Sequence, residues 1–191
     1  MRITGGTARG KVLLTPRGQK TRPTDARTRE TVFNMLAEEI EGADFLDLYS
    51  GSGAIGLEAL SRGAASCALV EQNKSAAVLI RKNLEHCNWQ KQGVVWPCAV
   101  QIAVKKLIQQ ERQFDIIFAD PTFDKQKEWD DFAEGIDKVA LLLHNSTVVS
   151  SQGGLLIVQH SFRLALDFSD VFEVVQERRA GESMLSFFQK K

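Results

Sequence analysis

Two short segments of this 191-residue chain carry residue types that can do chemistry. The first is Asp120-Pro121-Thr122-Phe123, which sets a carboxylate acceptor, a corner of fixed φ and an aromatic ring close together. An exocyclic amine on a nucleobase is a weak nucleophile, because its lone pair is delocalised into the ring. Asp120 and the Pro121 carbonyl would hold the protons of such an amine while Phe123 stacked on the base, which must first leave its helix or lie in a loop. By itself Asp-Pro often marks nothing more than a turn. The second segment is Gly51-Ser52-Gly53-Ala54-Ile55-Gly56, placed between an apolar run and a helical pattern, where backbone amides at a helix start can approach a ligand closely. The bland alternative is a tight strand-to-helix turn with no ligand.

The glycine letters satisfy the GxGxxG dinucleotide fingerprint, and Glu71 stands 18 residues after Gly53, near the position of a ribose-binding carboxylate. A nicotinamide dinucleotide is therefore one candidate. Asp47 lies four residues before Gly51 and would repel a pyrophosphate. The same carboxylate would favour a ligand carrying a sulfonium and an ammonium, as S-adenosylmethionine does. Glu71 suits either, since both cofactors contain adenosine.

The elements that must position these residues are legible as periodicity. Apolar runs at 44–48, 66–71, 93–98, 114–120 and 154–159 read as strands. Segments beginning at Gly53, Asn73, Val100 and Glu128 have the three-and-four apolar spacing of amphipathic helices. The alternation predicts a mostly parallel sheet covered on both faces, with ligands beyond the carboxyl ends of the strands. VFEVVQERR and ESMLSFFQ, separated only by Ala180-Gly181, predict a closing antiparallel hairpin. RITGG followed by ARGKVLLT predicts two extended runs around a Gly-Gly turn, and Thr24-Asp25 could cap a helix through Ile40.

Apolar content of 43% and charged content of 25% are those of a globular domain, and no apolar run approaches the roughly 18 residues of a membrane span. Cys67, Cys87 and Cys98 are odd in number and lack CxxC spacing, which points to a reducing cytoplasm. Dispersed His86, His144 and His160 give no ligand spacing, so no metal is expected. The zero net charge hides an asymmetry: residues 1–31 hold eight basic and two acidic side chains, and the remainder 16 basic and 22 acidic. If the basic arm folds, its charge is presented on a fixed surface that suits a phosphate backbone.

Three stretches, RITGGTARGKVLLTP with TRPTDARTRETVFNML, LDLYSGSGAIGLEALSRGA, and RRAGESMLSFF, resemble the RsmD family of bacterial methyltransferases nearly end to end. The resemblance implies an α/β class I S-adenosylmethionine-dependent methyltransferase, Rossmann-like, with a mostly parallel seven-stranded sheet. A basic N-terminal β-hairpin over 1–20 would precede a methyltransferase domain over 21–191. The implied reaction is methylation of the exocyclic N2 of a guanine in 16S ribosomal RNA, by a monomer acting on a small-subunit assembly particle. It implies cofactor contacts at Asp47, Ser50, Gly51, Gly53 and Glu71, a reaction motif at Asp120, Pro121 and Phe123, and RNA contacts at Arg2, Arg9, Lys11, Arg22 and Arg27, with Pro23 and Thr24 near the active site. Thr122 departs from the family, which has a second proline there, and Pro97-Cys98-Ala99 lacks the acidic residue that many such enzymes place at the adenine amine. Adenine-N6 methylation of DNA or RNA, and a non-catalytic cofactor-binding module, are the competing readings.

Overall fold

The computed structural model describes residues 1–15, 26–121, 147–164 and 166–191, together with Ile136, Val139, Ala140, Leu143 and His144. The elements are α1 (Ala26–Met35), β1 (Asp44–Leu48), α2 (Ala54–Ser61), β2 (Ser66–Val70), α3 (Lys74–His86), β3 (Gly93–Trp96), α4 (Val100–Gln109), β4 (Ile116–Ala119), β5 (Leu155–Ser161), β6 (Phe172–Ala180) and β7 (Ser183–Lys190). The seven strands form one sheet in the order β3-β2-β1-β4-β5-β7-β6. Only β7 runs against its neighbours; the β1, β2, β3, β4 and β5 pairings are parallel.

Registers fix where the strands finish. Leu48 pairs with both Val70 and Ala119, and Ala119 pairs with Val158, so the carboxyl ends of β1, β2, β4 and β5 share one edge. Ser183 pairs with Ser161 on one side and Ala180 on the other, which brings the tip of the β6–β7 hairpin to that same edge.

The central strands read as continuous apolar runs because both faces are covered. On one face Phe33, Leu57, Ile80 and Phe45 belong to a single buried cluster; on the other, Val104, Leu107, Phe114 and Leu156 pack with Ile136, Val139, Ala140 and Leu143. Those last four are the described part of the helix expected from Glu128 onward; the rest of that stretch lies outside the described residues. β6 is an edge strand, and it carries Glu173, Glu177, Arg178 and Arg179 on exposed positions, which discourages pairing with another chain.

Several boundaries differ from expectation: β3 ends at Trp96 rather than Cys98 and β5 runs on to Ser161, and two others have a local cause. β4 begins at Ile116 rather than Phe114, because the Phe114 amide is taken by Val148 and the Asp115 amide by Asp44 outside the regular ladder. The first helix ends at Met35 rather than Ile40, with Leu36–Ile40 continuing as turns. Its expected cap at Thr24-Asp25 lies outside the described residues.

The N-terminal arm differs more instructively. Arg2 and Val12 form an antiparallel bridge, flanked by hydrogen bonds from Ile3 to Lys11 (3.0 Å) and from Leu13 to Met1 (2.9 Å). Gly5-Gly6 is not the reversal point of this pair. Thr4–Thr7 lies instead on the last turn of α2, where Thr7 donates its amide to the Ser61 carbonyl (2.7 Å). A side chain at Gly6 (φ 75°) would overlap that carbonyl, so the residue is glycine for both room and backbone conformation. Ile3 and Leu13 are buried within the cluster that holds Phe33 and Leu57, so the arm is a piece of the core.

Polar groups then fasten it. Glu58 of α2, fully buried, accepts from the Thr4 amide (2.9 Å), the Thr4 hydroxyl (2.8 Å), the Gly5 amide (2.7 Å) and Arg62 Nε (3.0 Å). Arg29 of α1, 2% exposed, places Nε 3.9 Å from the same carboxylate and donates to the Arg2 carbonyl at 2.9 Å. On α3, buried Asn83 accepts from the Leu14 amide (2.8 Å) and donates to its carbonyl (3.0 Å), replacing the strand partner that Leu14 lacks.

Candidate active site

At the carboxyl end of β1 the chain turns through Tyr49 (φ 63°), Gly51 (φ 55°) and Gly53 (φ 78°) before entering α2. Left-handed conformation is costly for tyrosine and is held by its surroundings. Ser50 closes the turn: its amide donates to the Val70 carbonyl (2.9 Å), its hydroxyl to the Asp47 carbonyl (2.8 Å), and its own carbonyl accepts from Gly53 (2.7 Å).

The glycines divide the work. A Cβ on Gly56 would sit 2.7 Å from Cys67 Sγ and Leu69 Cδ2, so this residue lets α2 pack on β2; a Cβ on Gly53 would crowd Ile80 at 3.1 Å. Above Gly51 the nearest atom is the Tyr49 carbonyl at 4.0 Å, which leaves that position open for a ligand.

Glu71 follows β2 and reaches back over the turn, accepting from the Gly51 amide (2.8 Å) and the Asn73 amide (2.6 Å). Asn73 in turn caps α3 through the Ser75 and Ala76 amides at 3.0 and 3.1 Å. A carboxylate has about four acceptor positions, so Glu71 keeps capacity for hydroxyl donors.

Asp47 occupies a place that sequence alone does not reveal. Its carboxyl is 2% exposed and accepts from the Gly56 amide at 3.0 Å, capping α2 from within the core. Burial pushes its pKa up to about 8, opposed by that hydrogen bond and reinforced by the negative charges of Asp120 and Glu71. Three carboxyl groups thus converge beside an open glycine turn, an environment favourable to a cation and hostile to a pyrophosphate.

A testable pH dependence follows. The unfolded chain loses the Asp47 proton near 3.8 and the folded protein near 8, so this group stabilises the fold fully below the lower value. Its contribution falls by about 1.4 kcal/mol per pH unit as pH rises through that window. Asp47→Asn keeps an oxygen for Gly56, so urea midpoints of the variant should lack the decline that the wild type shows between pH 5 and 8. Parallel curves would remove the raised pKa from consideration.

Asp120 and Pro121 continue directly from β4, Asp120 half-buried and Pro121 buried, while Thr122 and Phe123 lie outside the described residues. Sequence alone gives no hint of Tyr49 and Trp96, half-buried at this edge and packed with Cys98 against the cluster holding Val70 and Ala119.

Among the basic residues singled out from sequence, Arg2, Arg9 and Arg27 are exposed, and Arg22 is outside the described residues. Lys11 is half-buried and donates to the His86 carbonyl (2.9 Å), so its charge is partly committed to α3. The arm reaches the cofactor turn through Met1, whose sulfur accepts from the Ser52 hydroxyl at 3.8 Å.

A sheet of this strand order, with a glycine turn after β1, an acidic residue after β2 and a reaction loop after β4, defines a class I S-adenosylmethionine-dependent methyltransferase fold. A family model described as conserved hypothetical protein 95 matches residues 1–189, and the chain belongs to this family, the RsmD family. YlbH of Bacillus subtilis, provisionally described as an rRNA methyltransferase, is 30% identical over 166 residues, 87% of this chain and 85% of that protein. Ribosomal RNA small subunit methyltransferase D of Escherichia coli is 42% identical over 123 residues, 64% of this chain and 60% of that protein. Among solved structures, yhhF from Escherichia coli, provisionally described as a methyltransferase, superposes with TM-score 0.80 at 30% identity, covering 100% of this chain and 98% of that one.

Proposed function

We propose that this protein transfers a methyl group from S-adenosylmethionine to the N2 amine of a guanine in 16S ribosomal RNA, in the cytoplasm, as a monomer acting on a small-subunit assembly particle. The observation that carries the reading is the convergence of Asp47, Glu71 and Asp120 on an open glycine turn at the strand ends. The names of the relatives support the RNA class of substrate.

The residues fit the cofactor. Open space above Gly51 admits its backbone-facing part, Glu71 has acceptor capacity for ribose hydroxyls, and the carboxyl cluster suits its cationic groups. When bound, the cofactor supplies an electrophilic methyl on a sulfonium. Asp120 and the Pro121 carbonyl accept from the two amine protons of the target base, turning the nitrogen lone pair toward the methyl, and Phe123 stacks on the ring. Asp120 then takes up the proton that the alkylated nitrogen must shed. The exposed Arg2, Arg9 and Arg27, with Lys11 and Arg22, contact RNA phosphates. Residues 1–20 form an extension, and 21–191 the methyltransferase domain.

The test is transfer of labelled methyl to small ribosomal subunits that lack the modification, followed by mapping of the labelled base. Label on guanine N2 is the expected result. Label on adenine would keep the chemistry and overturn the guanine assignment, and cofactor binding without any label would favour a non-catalytic module.

A further inference from the structure

The tip of the β6–β7 hairpin and the residues after β5 meet at the edge where β4 releases Asp120. There Phe162 carries two arginines on its ring: the guanidinium carbon of Arg179 lies 4.0 Å from the centroid and that of Arg163 5.4 Å. Both arginines are exposed and Phe162 is half-buried. Arg179 Nε donates to the Gly181 carbonyl (3.0 Å), and the Phe162 amide donates to the Glu182 carbonyl (3.2 Å), so the ring and the hairpin hold each other. Neither guanidinium is within ion-pair distance of a carboxylate among the described residues.

Other arginine-ring pairs in the molecule are used differently. Arg62 lies 5.3 Å over Phe33 but is bound to Glu58, and Arg112 lies 5.6 Å over the fully buried Phe114 at the opposite end of the sheet. At the Phe162 site Arg179 is anchored by both the ring and its bond to Gly181 and Arg163 by the ring alone, and both remain exposed to solvent. Below them a hydrogen-bonded chain, buried at His160 and Ser186, links the three strands: His160 Nε2 lies 2.8 Å from Ser186 Oγ, which donates to Glu177 at 2.7 Å.

We propose that Phe162, Arg163 and Arg179 form a phosphate-binding shelf for the RNA strand flanking the target base, at the edge beside Asp120 where β5 and β6 end and β7 begins. The inference rests on the RNA methyltransferase reading and adds a second contact surface, separate from the N-terminal arm. β5 neighbours β4, and β6 lies two strands beyond β5. At about 4.8 Å per strand, the strand before Arg163 lies roughly 5 Å and the strand carrying Arg179 roughly 14 Å from β4, within reach of nucleotides adjoining an extruded base. Arginines fixed on an aromatic ring lose little freedom on binding phosphate, and they act without reading sequence.

The test compares wild type with the Arg163→Ala/Arg179→Ala and Arg163→Lys/Arg179→Lys pairs on the RNA of small ribosomal subunits that lack the modification. The alanine pair should lower the magnitude of the log Kd against log salt slope by about 1.4, the value for two single-strand phosphate contacts, and raise KM for RNA at least tenfold. The lysine pair should restore the slope, and calorimetric affinity for S-adenosylmethionine should be unchanged in both. An alanine pair with the slope and KM of a methylating wild type would overturn the shelf and leave the function standing. A wild type that neither binds nor methylates RNA would overturn the function itself, and the shelf with it.

Discussion

Asp120→Ala is expected to slow methyl transfer to RNA by roughly 10²- to 10⁴-fold, because the variant removes both the acceptor that orients the amine and the base that takes its proton. Cofactor affinity should change little. Loss of the Asp120 charge weakens attraction for a cation, but that same charge helps raise the Asp47 pKa, so its removal lets Asp47 ionise more readily and offsets the loss. Asp120→Asn keeps one acceptor oxygen in place and should retain more activity than alanine. Single-turnover rates at saturating RNA and cofactor, set beside calorimetric cofactor affinity, separate the two effects. An alanine variant within threefold of the wild-type rate would exclude Asp120 from the chemistry.

Glu58→Ala should cost about 3–5 kcal/mol of stability, the range for breaking a buried ion pair and leaving its partner behind. Arg29 would remain 2% exposed without its carboxylate, and the Thr4 and Gly5 amides would lose their acceptor. The readouts are the urea midpoint and hydrogen exchange at Thr4 and Gly5, which should approach that of an unprotected chain while the β1 amides stay slow. Arg62→Ala, at a position 18% exposed, should cost far less. Equal midpoints for Glu58→Ala and wild type would mean that the arm is held by its other contacts, Ile3 and Leu13 in the core and Asn83 on Leu14. The same contacts make deletion of residues 1–20 a poor test of RNA binding. It would strip Glu58 and Asn83 of partners and open the core over Phe33, so charge reversal at exposed Arg2 and Arg9 is the cleaner variant.

The parts of the structure that obey one-dimensional periodicity were readable before any coordinates. The β1 run DFLDL, the α3 pattern that begins at Asn73 and the terminal hairpin all appear where apolar spacing and turn residues place them. The glycine turn was readable too, because its spacing reflects a close approach that only glycine permits. What escaped were relations between distant positions. Glu58 looks like a surface residue of an amphipathic helix, and nothing local says that Thr4, more than fifty residues away, will bury it. Arg29 counted as one of eight arm cations although its charge is spent inside. Asp47 was legible as a carboxylate near the cofactor, but not its bond to Gly56 or its raised pKa, since burial is a property of the assembled layers.

The strand order also bears on how the protein is made. β7 is the last of the seven strands to be synthesised, yet it lies between β5 and β6. Without β7, Leu156, Ile157 and Val158 stand on an open sheet edge, and β6 has no neighbour to pair with. The apolar edge stays available to other unfinished chains until Ser183–Lys190 is threaded into the gap. The hairpin tip at the catalytic edge forms at that same moment. The carboxyl edge of the sheet is therefore completed only by the step that also closes its open apolar strand.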